Sequence, residues 1–375
     1  MKIGLICPYN IARGGGVQEV VRALQDGLNS RGHQAIIITP KPRQGYIDDG
    51  RAVAFLGTAK DFRSPTHTLA TFSTIVENSE IDDLLEREKF DILNFHEPWV
   101  PMLSRQILYR SNTVNVVTFH AKLPDTMMSR TMSKAITPYT KPMLKHFQAF
   151  TAASDAAADY ARSLIDEPIE IVLNGINLAG FKPVSRSVAA KNKTILYVGR
   201  LERRKGVKYL LKAMQLLQAR QPDTKLWLVG DGPDRDKLQM QAKELGLNNV
   251  KFYGYVDEAE KIDLLAKADL FCAPAIFGES FGIVLLEAMA SGLVTVAGDN
   301  PGYSSVMQGV GNLSLVDPKD TLEFARRLQL LLNVDELREV WQEWAAKYVK
   351  QFDYPKVVDN YEAVYKRALK TYGPK

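Results

Sequence analysis

Thr194-Ile195-Leu196-Tyr197-Val198-Gly199-Arg200-Leu201-Glu202-Arg203-Arg204-Lys205-Gly206 decides the fold. A short run rich in apolar residues ends at a glycine, and a basic loop then leads into a helical pattern. Apolar runs without polar alternation suit parallel strands buried on both faces. A glycine at the carboxyl end lets the chain turn sharply off the sheet. Alone, the four cations that follow are either an anion site or a solvated loop.

The same unit recurs along the chain. Comparable runs occupy residues 3–7, 35–39, 91–95, 114–119, 150–153 and 169–173, and then 194–198, 225–229, 250–253, 270–273, 293–297 and 313–316. Longer helical patterns separate them. Strand and helix alternating twice over predicts an α/β protein of two doubly wound, Rossmann-like domains. Residues 177–193, with Gly180, Pro183, two serines and several lysines, read as the linker. The expected domains are 1–182 and 193–351. Beyond them Trp341, Trp344, Tyr348, Phe352, Tyr361 and Tyr365 stud a helical stretch interrupted near Pro355.

Composition narrows the class. The 375 residues, 46% hydrophobic and 24% charged, suit two soluble globular domains. A net charge of +5 does not demand nucleic acid, and no nucleic-acid-binding motif is present. Cys7 and Cys272, each in an apolar run, read as buried thiols of a reducing compartment. The N-terminus enters a strand at once and no apolar stretch reaches the roughly 18 residues of a spanning helix. The expected location is the cytoplasm, with the inner face of the plasma membrane as a peripheral site.

Gly278-Glu279-Ser280-Phe281-Gly282-Ile283-Val284-Leu285-Leu286-Glu287-Ala288-Met289-Ala290-Ser291-Gly292 sets two carboxylates eight residues apart. Eight residues is a little over two helical turns, so the reading puts both near one line of a helix face. Glu287 among Leu285, Leu286 and Met289 is costly unless a partner satisfies it. Two hydroxyl-rich parts of one ligand, a sugar and a ribose, are the expected partners. The bland alternative is one exposed helix Glu and one loop Glu.

Other chemistry-bearing residues also follow strand ends: Gly14–16, His96, His120, Asn174, Arg200, Asp231 and Gly254. In open α/β sheets, ligands bind outside that edge, so an enzyme with an interdomain cleft is expected. Gly14-Gly15-Gly16 opens a helix whose N-terminus favours an anion, with a mere tight turn as the alternative. A histidine closing an apolar strand is more often structural than catalytic. Asp234-Arg235-Asp236 matches a D-x-D metal-diphosphate pattern but sits at a helix start, where acids serve as caps. No His/Cys cluster has zinc spacing, so no metal is expected. Residues 122–150 mix methionines and cations around Pro138 and Pro142. They read as a candidate membrane contact or as core.

The glutamate pair, with Gly199-Arg200-Leu201 and Lys205-Gly206, resembles the E-x7-E and G-R-L-x-x-x-K-G motifs of retaining GT-B glycosyltransferases of family 4, the glycosyl transferases of group 1. The resemblance covers essentially the whole chain. Residues 14–20, 95–98 and 118–120 also look like those of phosphatidylinositol mannosyltransferase-like members. It implies transfer of a hexose, mannose or glucose, from GDP-mannose or UDP-glucose to a hydroxyl of a glycan or lipid-linked acceptor.

By resemblance, Glu279 holds the sugar, Glu287 the ribose, and Arg200 and Lys205 the diphosphate; Arg203 and Arg204 read as solvated. Gly15, Gly16, Gly230, Asp231, Gly254, Tyr255, Phe281, Gly282 and Ile283 are expected at the donor. His120 is expected at the sugar, and His96 with Glu97 on the acceptor side. The last helix, from about 352 to 375, is implied to cross back to the first domain.

One stretch departs from the family pattern. Where those enzymes carry a basic membrane-facing helix, this chain has Glu77, Glu80, Asp82, Asp83, Glu86 and Glu88 against Arg87 and Lys89. Anionic lipid repels such a face. Rival readings are a nucleotide-sugar epimerase or phosphorylase-like enzyme of the same architecture, and a catalytically silent nucleotide-sugar-binding protein.

Overall fold

The computed structural model describes residues 1–12, 15–43, 45, 48–63, 69–100, 102–120, 137–184 and 192–373. The chain divides into two compact units. One joins Met1–Gly175 to Tyr354–Lys375, and the other is Ile176–Asp353.

Among the described residues the first unit holds an eight-stranded sheet. Its strands are β1 (Lys2–Ile6), β2 (Gln34–Lys41), β3 (Val53–Arg63), β4 (Leu69–Ser73), β5 (Ile92–His96), β6 (Val114–Phe119), β7 (Ala149–Ala152) and β8 (Ile169–Ile171), in the order β4-β3-β2-β1-β5-β6-β7-β8. All neighbours are parallel except β3 and β4. β1 carries the register, with Ile3 opposite both Ala35 and Ile92. Sequence periodicity missed β3 and β4. Gly57, Lys60 and Asp61 break up the apolar run of β3, and β4 is its antiparallel edge partner.

Apolar cores cover both faces, as a parallel sheet requires. One gathers Leu93, Phe95, Val117, Phe119, Met143 and Phe147. The other gathers Ile3, Leu5 and Ile37 with Leu24 and Leu28 of the helix Gly16–Asn29. The last helix, Tyr354–Tyr372, adds Val357, Val358, Tyr361, Val364 and Tyr365 to this second core. Pro355 sits in its first turn, where a missing N–H costs nothing. Of residues 122–150, those before 137 lie outside the described residues. In the remainder Met143 and Phe147 are core, while Lys141, Lys145 and His146 are exposed.

The second unit holds β9 (Thr194–Val198), β10 (Lys225–Val229), β11 (Val250–Gly254), β12 (Leu270–Ala273), β13 (Thr295–Gly298) and β14 (Leu315–Val316). Their order is β11-β10-β9-β12-β13-β14, all parallel. Strand order therefore reverses between β9 and β12 here, and between β1 and β5 in the first unit. These reversals are the switch points where loops diverge and leave room for a ligand.

Candidate active site

In the second unit the loops after β9 and β12 flank the switch point. Gly206 brings them together. It has φ +72° at the start of the helix Val207–Gln218, and a Cβ there would lie 1.9 Å from the Pro274 carbonyl oxygen. No side chain fits such an approach. Across this junction Lys205 Nζ lies 2.8 Å from Glu279 Oε1, and Arg204 Nη1 donates to the same oxygen at 2.6 Å. Arg204 also donates to the Gly278 carbonyl at 2.9 Å, and its Nε pairs with Glu202 Oε1 at 2.7 Å. Burial opposes its charge, but Glu279 and Glu202 hold the guanidinium above its ordinary value.

Arg204 was expected to be solvated; it is instead the cation most engaged with Glu279. Arg200 is half exposed, its Nε 3.9 Å from Glu202 Oε2, and Tyr197 donates to its carbonyl at 2.7 Å. Of the four cations Arg200 and Arg203 are exposed, while Arg204 and Lys205 are part-buried.

Glu279 is not on the helix. Ile283–Ala290 begins four residues later, so the pair does not share a helix face and Glu287 lies about one turn in. The loop is pinned by Gly302, where a Cβ would fall 2.1 Å from the Glu279 carbonyl oxygen. Asn300 secures that turn by accepting from Tyr303 N at 3.1 Å and donating to Ala275 O at 3.0 Å. Glu287 is buried and pairs with Lys261, 2.8 Å away. Burial pushes the Glu287 carboxyl up, and Lys261 pulls against that. Lys261 also meets Glu258 at 2.8 Å. Neither Arg204 nor Lys261 stood out in the sequence: one is an extra cation in a basic loop, the other an ordinary position of an amphipathic helix.

The remaining donor residues lie at the same sheet edge. Gly230 N donates to Gly254 O at 2.7 Å, joining the ends of β10 and β11. Beyond them Asp231 and Tyr255 are exposed. Phe281 is buried against Phe352, ring centroids 5.8 Å apart; Gly282 and Ile283 are part-buried at the helix start. Asp234 occupies the cap position of Arg235–Glu244 without a side-chain cap bond, and Arg235 pairs with Asp231 at 3.1 Å instead.

In the first unit Gly15 stands at the N-cap of Gly16–Asn29, after the β1 loop; Gly14 lies outside the described residues. His96 ends β5 and His120 follows β6. His96 Nδ1 and His120 Nε2 are 2.8 Å apart, and the rings stack at 5.1 Å. His96 is fully buried. Burial holds the His120 imidazole down at about 4, with Asn174 drawing it back up. Burial, and then His120, hold His96 well below the ordinary histidine range. Glu97, at φ +52°, accepts from the His120 backbone N–H, lacing the two loops together.

Two doubly wound units with charged and imidazole side chains gathered at their switch points form the GT-B architecture of glycosyltransferases. The chain belongs to the glycosyl transferases of group 1: residues 182–348 match that family's model and residues 14–179 match that of glycosyltransferase family 4. It is 33% identical to the phosphatidyl-myo-inositol mannosyltransferase of Mycobacterium tuberculosis, over 97% of this chain and 96% of that one. Among solved structures it resembles the sucrose-phosphate synthase of Thermosynechococcus elongatus, with TM-score 0.79, 19% identity and 99% of each chain covered. It also resembles HepE of Anabaena in complex with UDP and glucose, with TM-score 0.77, 19% identity, and 98% and 99% covered. Among the described residues no helix is long and apolar enough to cross a membrane.

Proposed function

We propose that the protein is a retaining hexosyltransferase that moves mannose or glucose from a nucleotide diphosphate sugar to an acceptor hydroxyl, without a metal. The observation that carries this reading is the clasp on Glu279. A buried carboxylate with Arg204 and Lys205 on one oxygen keeps a sugar-binding acceptor beside two fixed cations. Cations held in place stabilise a departing diphosphate more than the intact donor. Arg200, half exposed beside them, completes the positive site. Glu287, held by Lys261, takes the ribose hydroxyls, and His120 takes the sugar. Attack from the face the leaving group vacates lets the departing phosphate accept the acceptor proton, so retention needs no separate nucleophile.

GDP-mannose is the favoured donor because the full-length relative is a mannosyltransferase. UDP-glucose is the second choice, since HepE was solved with UDP and glucose. The acceptor is a glycan or lipid-linked glycan that does not require an anionic bilayer. On the helix Asn78–Glu88, Asp82 pairs with Arg110 and Glu88 with Lys2, which leaves Glu77, Glu80, Asp83 and Glu86 exposed.

Thermal shift with GDP, UDP, ADP and their sugar conjugates, with and without magnesium, tests the donor. A ligand at 100 times its Kd adds about 2.7 kcal/mol. Stabilisation by one base without magnesium supports the reading, and a metal-dependent shift overturns metal independence. No shift with any nucleotide refutes the donor assignment.

A further inference from the structure

We propose that His96 is a positioning residue for His120: it donates from Nδ1 to His120 Nε2 and fixes His120 as the Nδ1–H tautomer. His120 is then a hydrogen-bond donor at Nδ1 and not a base. This rests on the reading that His120 meets the donor sugar.

Three observations lead there. The two nitrogens lie 2.8 Å apart, a hydrogen-bond distance that admits one proton between neutral rings. His96 Nε2 is buried and has no hydrogen-bond partner among the described residues. A proton there would be an N–H stranded without an acceptor, whereas a bare lone pair is the milder defect. The proton of His96 therefore belongs on Nδ1, and His120 Nε2 must accept it. With Nε2 taken, the proton of His120 sits on Nδ1. Beside His120, the buried Asn174 draws the imidazole up as a side-chain acceptor does, which suits an N–H on the nitrogen that His96 does not occupy.

The surroundings hold this geometry rather than merely permit it. Glu97 fixes the His120 backbone. Thr118, two residues before His120, donates to Asn94 Oδ1 at 3.0 Å. Asn94, two residues before His96, donates to the Tyr365 hydroxyl at 2.7 Å. Tyr361 stands against His96 with ring centroids 6.5 Å apart. Full burial also moves His96 from the acceptor-lining role expected of it to one exerted through His120.

The test uses the full-length enzyme and two substitutions. His96→Phe keeps a ring but removes Nδ1, and His96→Asn returns an amide N–H near the Nδ1 position. With five histidines in the chain, long-range 15N–1H spectra report each ring's tautomer directly. In wild type His120 is expected as a single Nδ1–H tautomer, becoming a mixture in His96→Phe and returning in His96→Asn. Turnover should follow, with kcat down at least about tenfold in the Phe variant, donor KM within about twofold, and most activity restored by Asn. A wild-type His120 protonated at Nε2, an unchanged His120 tautomer in His96→Phe, or a loss that Asn does not restore overturns the proposal. His120→Ala is run in parallel. Unchanged turnover there removes the catalytic role of His120 itself, whereas the spectra judge His96 alone.

Discussion

Arg204 Nη1 lies 2.6 Å from Glu279 Oε1, inside a row of ion pairs that runs from Glu202 through Arg204 and Glu279 to Lys205. Its carboxylates are nearly buried, and Arg204 is the one cation that touches both. Arg204→Ala therefore leaves Glu202 without its near cation and Glu279 with Lys205 alone. The expected cost is about 1–3 kcal/mol of stability, reduced from the fully buried case because the guanidinium is partly solvated. Donor binding should weaken at least about tenfold, since a loosened Glu279 no longer presents one geometry to the sugar. Arg203→Ala, on an exposed side chain of the same loop, should stay within about 0.5 kcal/mol. Urea unfolding and donor titration of both variants decide it, and equal effects would refute the special place of Arg204.

Lys261 and Glu287 form the second pair, and their burial makes the test a double-variant cycle. Lys261→Met leaves a carboxylate in an apolar helix face with no cation, at a cost of roughly 2–4 kcal/mol. Adding Glu287→Leu removes the stranded group, so the double variant should be more stable than Lys261→Met alone, with a coupling of at least about 1 kcal/mol. Nucleotide binding should be lost with Glu287 in either background, separating the ligand role from the structural one. Additive stabilities would mean that the 2.8 Å contact carries no energy.

The two doubly wound sheets were legible because apolar runs such as residues 3–7 and 194–198 have no polar alternation, and a strand buried on both faces tolerates none. The loop motifs were legible because glycine is forced where backbones nearly touch, as at Gly206 against Pro274. What the sequence hid was who pairs with whom. The eight-residue glutamate spacing suggested one helix face and a ligand for both carboxylates. The structure starts the helix after Glu279 and gives each carboxylate its own cation from a distant loop or helix. The strands β3 and β4 escaped because Gly57, Lys60 and Asp61 interrupt the apolar run of β3, and β4 joins the sheet only as its antiparallel edge partner. The histidine contact escaped because it spans 24 residues and two strands.

Phe281 and Phe352 link the Glu279 loop to the end of the second unit. Their rings meet at 5.8 Å, and Phe352 continues through Tyr348 and Trp344 to Trp341 at 5.2, 4.8 and 5.6 Å. Phe352 O also accepts from Ile176 N at 2.9 Å, so the residue sits where both chain crossings between the units begin. Phe352→Ala should cost about 3–5 kcal/mol, which makes Phe352→Leu the better probe. That variant should raise donor KM several-fold, while Phe324→Leu, in the helix Thr321–Asn333, should lower stability comparably and leave KM unchanged. A KM unmoved in Phe352→Leu would confine the aromatic row to packing.

The buried histidines set the acid limb of stability. An unfolded histidine titrates near about 6.5, while burial holds His120 at about 4 and His96 also well below its ordinary value. Between these values the unfolded chain binds protons that the native chain refuses, so stability must fall as pH falls from about 6.5 toward 4. It is fully present above about 7, and His120 alone accounts for on the order of 3 kcal/mol of the loss. Glu362 acts lower on the scale. The bond from Lys366 holds its carboxyl at about 2, so its contribution fades only as pH drops below the ordinary glutamate range. Urea midpoints at pH 7, 5.5 and 4.5 should therefore decline in wild type and decline less in His120→Phe, which has one fewer suppressed imidazole. Parallel slopes in the two proteins would mean that His120 takes up its proton in the native state at its ordinary value, and a donor tautomer held only by His96 could not then survive mild acid.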